Sequence, residues 1–312
     1  MRSGRVGRGD SARQLACRGK GAHNGCMAPT ILRDIPYTEA LVGYADDAPH
    51  KVPLRLDAYL PEGRGPHPVL VVAFGGAFHR GSKSNDAFPG VGDAGDNTAM
   101  AEYCRRFAAQ GFACFSIDYR LAPSDPVPAG PPIIAQPDLV PMGRIAQVRE
   151  IMGLPPATAA DMARTMEAGI EDFVAAVAFL RTEHARFNID TSRIVLGGWS
   201  AGARCALYAA YGRRVTCRGV IALSGVLQPD DTARFLATPK GLPPLLLIAA
   251  ERDLGYIQEG AGTTIAAFAA AGVPGHLARV LGYDHWYPAE APTDAGASVQ
   301  AMMQAALDSF TG

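Results

Sequence analysis

The chain has 312 residues, 48% of them hydrophobic, which gives room for one large α/β domain or two smaller ones with a sizeable core. Its 29 basic and 30 acidic residues leave a formal net charge of −1, so there is no electrostatic reason to expect nucleic acid or an anionic membrane surface as a partner. No apolar run approaches the ~20 residues of a membrane span.

Residues 1–26 differ from the rest. They carry Arg2, Arg5, Arg8, Arg13, Arg18 and Lys20 against a single acid, Asp10. An apolar h-region is missing, which excludes a secretory signal, and no convincing amphipathic helix supports a transit peptide. The expectation is a disordered or non-native extension, with the folded domain spanning 27–312. The six cysteines (Cys17, Cys26, Cys104, Cys114, Cys205 and Cys217) form no C-x-x-C pair, and several sit in apolar segments. They read as free thiols of a cytoplasmic protein rather than a disulfide framework or a zinc site.

After Met27, short β-like runs alternate with longer helical ones. Residues 54–60 alternate as an early antiparallel strand should. Residues 69–74 form a continuous apolar run ending in glycines, which suits a strand covered on both faces. A helix is predicted over 98–110, a strand over 113–118 and a long helix over 161–184. Strand 194–197 is followed by an alanine-rich helix over 200–211. Further strands are predicted at 220–223, 245–250 and 276–281, with helices over 263–271 and 295–310. Repeated strand–helix alternation implies parallel strands with right-handed crossovers, hence a three-layer α/β/α sandwich. One segment breaks the rhythm: residues 124–160 contain eight prolines around a short helical piece at 144–152. It follows the carboxyl end of a strand, where ligands bind in open sheets, and a lid insertion is the functional reading.

Gly198-Trp199-Ser200-Ala201-Gly202 matches G-x-S-x-G. In a chain with 35 glycines the match alone is weak, but a predicted strand precedes it and a helix follows, which is the setting of a nucleophile elbow. A serine hydroxyl needs a base, and the base needs an orienting acid. Only His276 and His285 follow Ser200. His276 opens a strand, whereas His285 lies in the loop after it, so His285 is the candidate base. The acid should follow the preceding strand, where Asp253 leads and Glu251 is the alternative; Asp284 is too close to His285 in sequence to meet its ring in line. Gly75-Gly76-Ala77 directly after strand 69–74 can offer backbone N–H groups to an oxyanion, with the N–H of Ala201 completing the hole.

Four segments carry a resemblance: Leu56-Asp57-Ala58-Tyr59-Leu60-Pro61, Phe74-Gly75-Gly76-Ala77, Asp118-Tyr119-Arg120-Leu121-Ala122-Pro123 and the serine motif. Together they resemble the hormone-sensitive-lipase-like and BD-FAE-like carboxylesterases of the α/β-hydrolase superfamily, from about residue 30 onward. The resemblance implies a mostly parallel central sheet and a triad of Ser200, Asp253 and His285. It further implies an oxyanion hole from Gly76, Ala77 and Ala201 with Gly75 beside them, and no metal or organic cofactor. Phe74 stands where that family has histidine, Ala77 where it has a third glycine, and Trp199 where an acid is common. A small-molecule ester is the expected substrate. An amide, as in an arylformamidase or peptidase, and a non-catalytic binding protein of the same fold are the competing readings. Trp199, Phe78, Trp286 and Tyr287 are candidate walls of an apolar pocket, with plain packing as the alternative. The sequence is silent on oligomeric state.

Overall fold

The computed structural model describes residues 28–46, 48–93 and 95–312, so the expected extension at 1–26 lies outside the described residues. Thr30–Val42 (β1) pairs antiparallel with His50–Leu60 (β2), and β2 pairs antiparallel with Ala113–Ile117 (β4). His67–Ala73 (β3), Ile189–Trp199 (β5), Gly219–Leu223 (β6), Leu245–Arg252 (β7) and Gly275–Asp284 (β8) continue the sheet in parallel. The order is β1-β2-β4-β3-β5-β6-β7-β8.

The central strands are mostly apolar along the stretches where both faces are covered. Val69 and Val71 point to one core with Phe115, Leu196 and Leu247. Leu70 and Val72 point to the other with Cys114, Val195 and Leu246, as the period of two demands. Ala159–Thr182 (α3), Ala201–Leu207 (α5) and Gly255–Ala270 (α7) fill the first core through residues such as Phe173, Leu207 and Phe268. Met100–Ala108 (α1) and Val299–Thr311 (α8) fill the second through Phe107 and Leu307. The remaining α-helices among the described residues are Met142–Ile151 (α2), His184–Phe187 (α4) and Pro229–Leu236 (α6). No helix of the described residues is long and apolar enough to cross a membrane. Cys104, Cys114, Cys205 and Cys217 are free thiols.

Several elements depart from the sequence expectation for identifiable reasons. β1 has no clean alternation to read, because Asp34 takes φ 57° and the pairing with β2 shifts register twice. α3 starts two residues before the expected position: the Thr158 hydroxyl accepts from the Asp161 N–H at 3.1 Å, and the Asp161 carboxylate accepts from the Thr158 N–H at 3.1 Å. α7 begins at Gly255 rather than 263, since Gly255, Gly260 and Gly262 mask its periodicity. α6 is an addition, opened by Pro229 in its first turn.

The proline-rich segment is held by acids rather than by a sheet. Its remaining N–H groups need partners, and Glu171 accepts from Ala129 and Gly130, Glu167 from Ile133 and Ile134, and Asp231 from Ala135. Arg120 anchors where this segment leaves the sheet. Its guanidinium meets Asp172 at 2.8–3.0 Å and donates to the Val127 carbonyl at 2.6 Å. Arg120 is 5% exposed and Asp172 2%, so removing the Asp172 charge leaves a buried guanidinium with only Glu171, at 3.2 Å, as its carboxylate partner. Asp172→Asn is expected to cost about 3 kcal/mol, read as a lower urea midpoint at unchanged m-value.

Candidate active site

Ser200 stands between β5 and α5 with φ 54° and ψ −113°, a strained backbone for a non-glycine residue. Its N–H donates to the Leu223 carbonyl at 2.7 Å, which ties the turn to β6. The flanking glycines are steric necessities. A Cβ at Gly202 would stand 2.0 Å from the Ala73 carbonyl oxygen, and one at Gly198 2.5 Å from the Gly202 carbonyl carbon. Both obstacles are backbone and cannot turn aside.

Asp253 follows β7 and His285 follows β8, and the sheet brings them to Ser200. His285 Nε2 lies 2.9 Å from Ser200 Oγ, and His285 Nδ1 lies 2.6 Å from Asp253 Oδ1. Ser200, Asp253 and His285 are 8%, 4% and 3% exposed. The acids left open by the sequence are separated here. Glu251 is exposed and accepts from the Gly282 N–H at 2.9 Å. Asp284 accepts from the Asp93 N–H at 2.8 Å and the Trp286 N–H at 3.1 Å. His276 is exposed at the far end of β8.

The Asp253 carboxylate has more support than the sequence suggested. Ser224, after β6, donates its hydroxyl to Asp253 Oδ2 at 2.5 Å and lies 2.9 Å from the Tyr287 hydroxyl. Ala250 and Leu254 donate their N–H groups at 3.0 and 2.8 Å. Burial pushes the Asp253 carboxyl up, but His285, the Ser224 hydroxyl and the Ala250 N–H outweigh it and hold it below its usual value. Ionised Asp253 therefore fixes the proton of His285 on Nδ1 and leaves Nε2 free to accept from Ser200.

The loop after β3 turns back toward Ser200 through Gly76, Ala77 and Phe78, with φ of 120°, 56° and 61°. Ala77 and Ala201 line one cleft with Ser200, about 360 Å³ counted to its open mouth. Gly75 requires a correction: its N–H donates to Asp86 Oδ2 at 2.9 Å, so it is committed to the protein and cannot serve an oxyanion. Its lack of a side chain serves packing instead, because a Cβ there would stand 2.0 Å from the Trp199 ring. The candidate donors are then the N–H groups of Gly76, Ala77 and Ala201. Phe74, in the position of the family's histidine, stacks on Tyr119 at 4.4 Å, and the Tyr119 hydroxyl donates to the Phe74 carbonyl at 2.9 Å. Of the four candidate aromatic walls, Phe78 lines the cleft. Trp199 and Trp286 pack on the His285 ring, each at 5.2 Å, and Tyr287 is 3% exposed beside Ser224.

Asp86 carried no motif in the sequence. It is 1% exposed and accepts from both the Gly75 and Met100 N–H groups, which joins the loop after β3 to the start of α1. Burial pushes its carboxyl up to about 6. From the proline-rich segment, Val140, Pro141, Arg144 and Ile145 line the cleft, and Arg149 of α2 meets His79 Nε2 at 3.0 Å. Among the described residues no group of three or more His, Cys, Asp or Glu side chains is placed to hold a metal.

Two outcomes follow for this frame. Gly202→Ala should abolish folded, active protein, checked by circular dichroism and ester turnover. Asp86→Asn should lower kcat about tenfold or more with little change in KM, since loop placement matters most in the transition state. That wild-type to variant ratio should narrow below pH ~6, where the wild-type carboxyl is itself protonated.

Two families match parts of the sequence: phospholipase/carboxylesterase over residues 131–253 and BD-FAE over residues 56–131. No curated protein sequence matches the chain. An esterase of the planctomycete Thermogutta terrifontis superposes with a TM-score of 0.54 at 18% identity, covering 91% of this chain and 92% of that one. Thermogutta terrifontis esterase 2 phosphorylated by paraoxon gives 0.55 at 17% identity, with 91% and 92% covered. Esterase B from Lactobacillus rhamnosis gives 0.53 at 17% identity, with 93% and 88% covered. The chain has the α/β-hydrolase fold, and its sequence resembles the BD-FAE-like carboxylesterases.

Proposed function

We propose that this protein is a serine hydrolase that cleaves carboxylic esters of small molecules through an acyl-enzyme on Ser200. The observation that carries the reading is the unbroken chain from Ser200 Oγ to His285 Nε2 at 2.9 Å and from His285 Nδ1 to Asp253 at 2.6 Å, opening on a cleft. In the first half-reaction Ser200 Oγ attacks the ester carbonyl carbon while its proton passes to His285 Nε2. The carbonyl oxygen takes up negative charge and is met by the N–H groups of Gly76, Ala77 and Ala201. The tetrahedral species collapses, the C–O bond to the alcohol breaks, and His285 returns the proton to the leaving alkoxide. Water then attacks the acyl group with His285 again as base, and Ser200 is regenerated. Asp253 stabilises the imidazolium in both halves without taking the proton. Esterases among the structural neighbours, one of them carrying a paraoxon-derived phosphoryl group, support this chemistry.

The described chain acts in this reading as one catalytic domain, with 124–160 as its lid, supported by Val140, Pro141, Arg144 and Ile145 beside Ser200. The free thiols fit a reducing cytoplasm.

Ser200→Ala should remove turnover of p-nitrophenyl butyrate and labelling by a fluorophosphonate probe; retained turnover overturns the reading. Asp253→Asn should lower kcat roughly 10³–10⁴-fold by releasing the imidazole tautomer, whereas Glu251→Gln should stay within about twofold of wild type, as surface changes do. Faster cleavage of a matched anilide than of the ester would move the assignment to amide hydrolysis.

A further inference from the structure

Arg204 lies four residues after Ser200, inside α5, the helix that Ser200 immediately precedes. It is 5% exposed and lines the cleft together with Ser200 and Ala77. Its Nε and Nη2 atoms are buried and have no hydrogen-bond partner. These atoms form the side-on edge of the guanidinium, the fork that grips a carboxylate with two parallel N–H···O bonds. Arg120 shows that edge occupied in the same protein: its Nε and Nη2 meet Asp172 at 3.0 and 2.8 Å. On Arg204 the edge is empty.

A guanidinium stays charged in a protein, and a buried charge without a counter-ion is costly. The cleft supplies no remedy of its own, because no acidic residue is among those that line it. Asp253, the nearby triad carboxylate, is taken up by His285, Ser224 and two backbone N–H groups. A second cation makes the imbalance larger. Arg144 of α2 lines the same cleft, 5.0 Å from the Trp286 ring centroid. Burial lowers its pKa, and the like charge of Arg80 lowers it further. The cleft is thus apolar in its walls and cationic at two points.

We infer that the cleft selects esters that carry a carboxylate on the acyl or the alcohol part, held side-on by Nε and Nη2 of Arg204. The inference rests on the esterase reading of the same site and adds to it the class of substrate. Ser200 and Arg204 line the same cleft of about 360 Å³, and a short dicarboxylic hemi-ester is the simplest ligand that presents an ester and a carboxylate there together.

The test compares charged and neutral esters of equal length on the full-length protein. For charge on the acyl side the pair is p-nitrophenyl hydrogen glutarate and p-nitrophenyl valerate. For charge on the alcohol side it is 4-acetoxybenzoate and 4-acetoxytoluene. Wild type should prefer the charged member of at least one pair by tenfold or more in kcat/KM, mainly through KM, and the preferred pair identifies the side. Arg204→Gln should bring that ratio close to one, and Arg204→Lys, which keeps charge but loses the fork, should fall between. Free glutarate should inhibit wild-type valerate hydrolysis competitively. Turnover of the neutral esters with no charged preference in either pair overturns the inference and leaves the esterase reading standing, whether or not the variants fold. An unchanged ratio in folded Arg204→Gln overturns it as well. No turnover of any ester and no fluorophosphonate labelling removes the esterase reading, and this inference with it.

Discussion

At Gly202 a single methyl group would stand 2.0 Å from the carbonyl oxygen of Ala73, and at Gly198 one would meet the backbone of Gly202 at 2.5 Å. Bare backbone is all that can pass between β3 and the start of α5. That proximity holds Ser200 at φ 54° and sets the first N–H groups of α5 beside the loop leaving β3. The candidate nucleophile and the candidate oxyanion donors are therefore products of one close approach between two backbones. Substitutions that open this gap would disturb both at once.

The rest of the site is assembled from the carboxyl ends of neighbouring parallel strands, where an open α/β sheet gathers its loops. β3 leads to Gly76 and Ala77, β5 to Ser200, β6 to Ser224, β7 to Asp253 and β8 to His285. Backbone strain concentrates there too. Of the eight non-glycine residues with positive φ among those described, Ala77, Phe78, Ser200 and Ser224 lie at this edge. Such strain persists only where surrounding contacts over-determine it, and here the supporting contacts include Ser200 N–H to Leu223, Ser224 hydroxyl to Asp253, and the His79 ring to the Ala77 carbonyl.

The buried charges divide into two kinds. Asp86, Glu167, Asp172 and Asp231 each accept from backbone N–H groups or from Arg120, and each fastens a loop to the scaffold. Their burial is compensated by the protein itself. Arg204 is different: it is buried to a similar degree, yet the fork edge of its guanidinium has no partner. A compensated charge holds architecture, and an uncompensated one beside a nucleophile is addressed to what enters the cleft.

The fold was legible in the sequence wherever strands were continuous and apolar and helices amphipathic, as at 69–74, 98–110 and 245–250. β1 was not, because its bulges destroy the alternation on which such a reading depends. Ser200 and His285 were legible as candidates because local chemistry marks them: glycines that a tight turn requires, and a histidine in a loop after the last strand. The choice between Asp253 and Glu251 could not be made locally, since both follow the same strand and differ only in which way the chain turns after it. Gly75 looked like a third member of the oxyanion loop until Asp86, eleven residues away, was seen to hold its N–H. Asp86, Ser224 and Arg204 carry no motif at all. By itself the sequence determined most of the alternation of strands and helices, and the candidate nucleophile and base, because these depend on short-range patterns of size and polarity. Which acid meets the base, which N–H groups stay free and which charge is left without a partner were decided only by the tertiary structure, because each depends on what distant segments bring within 3 Å of one another.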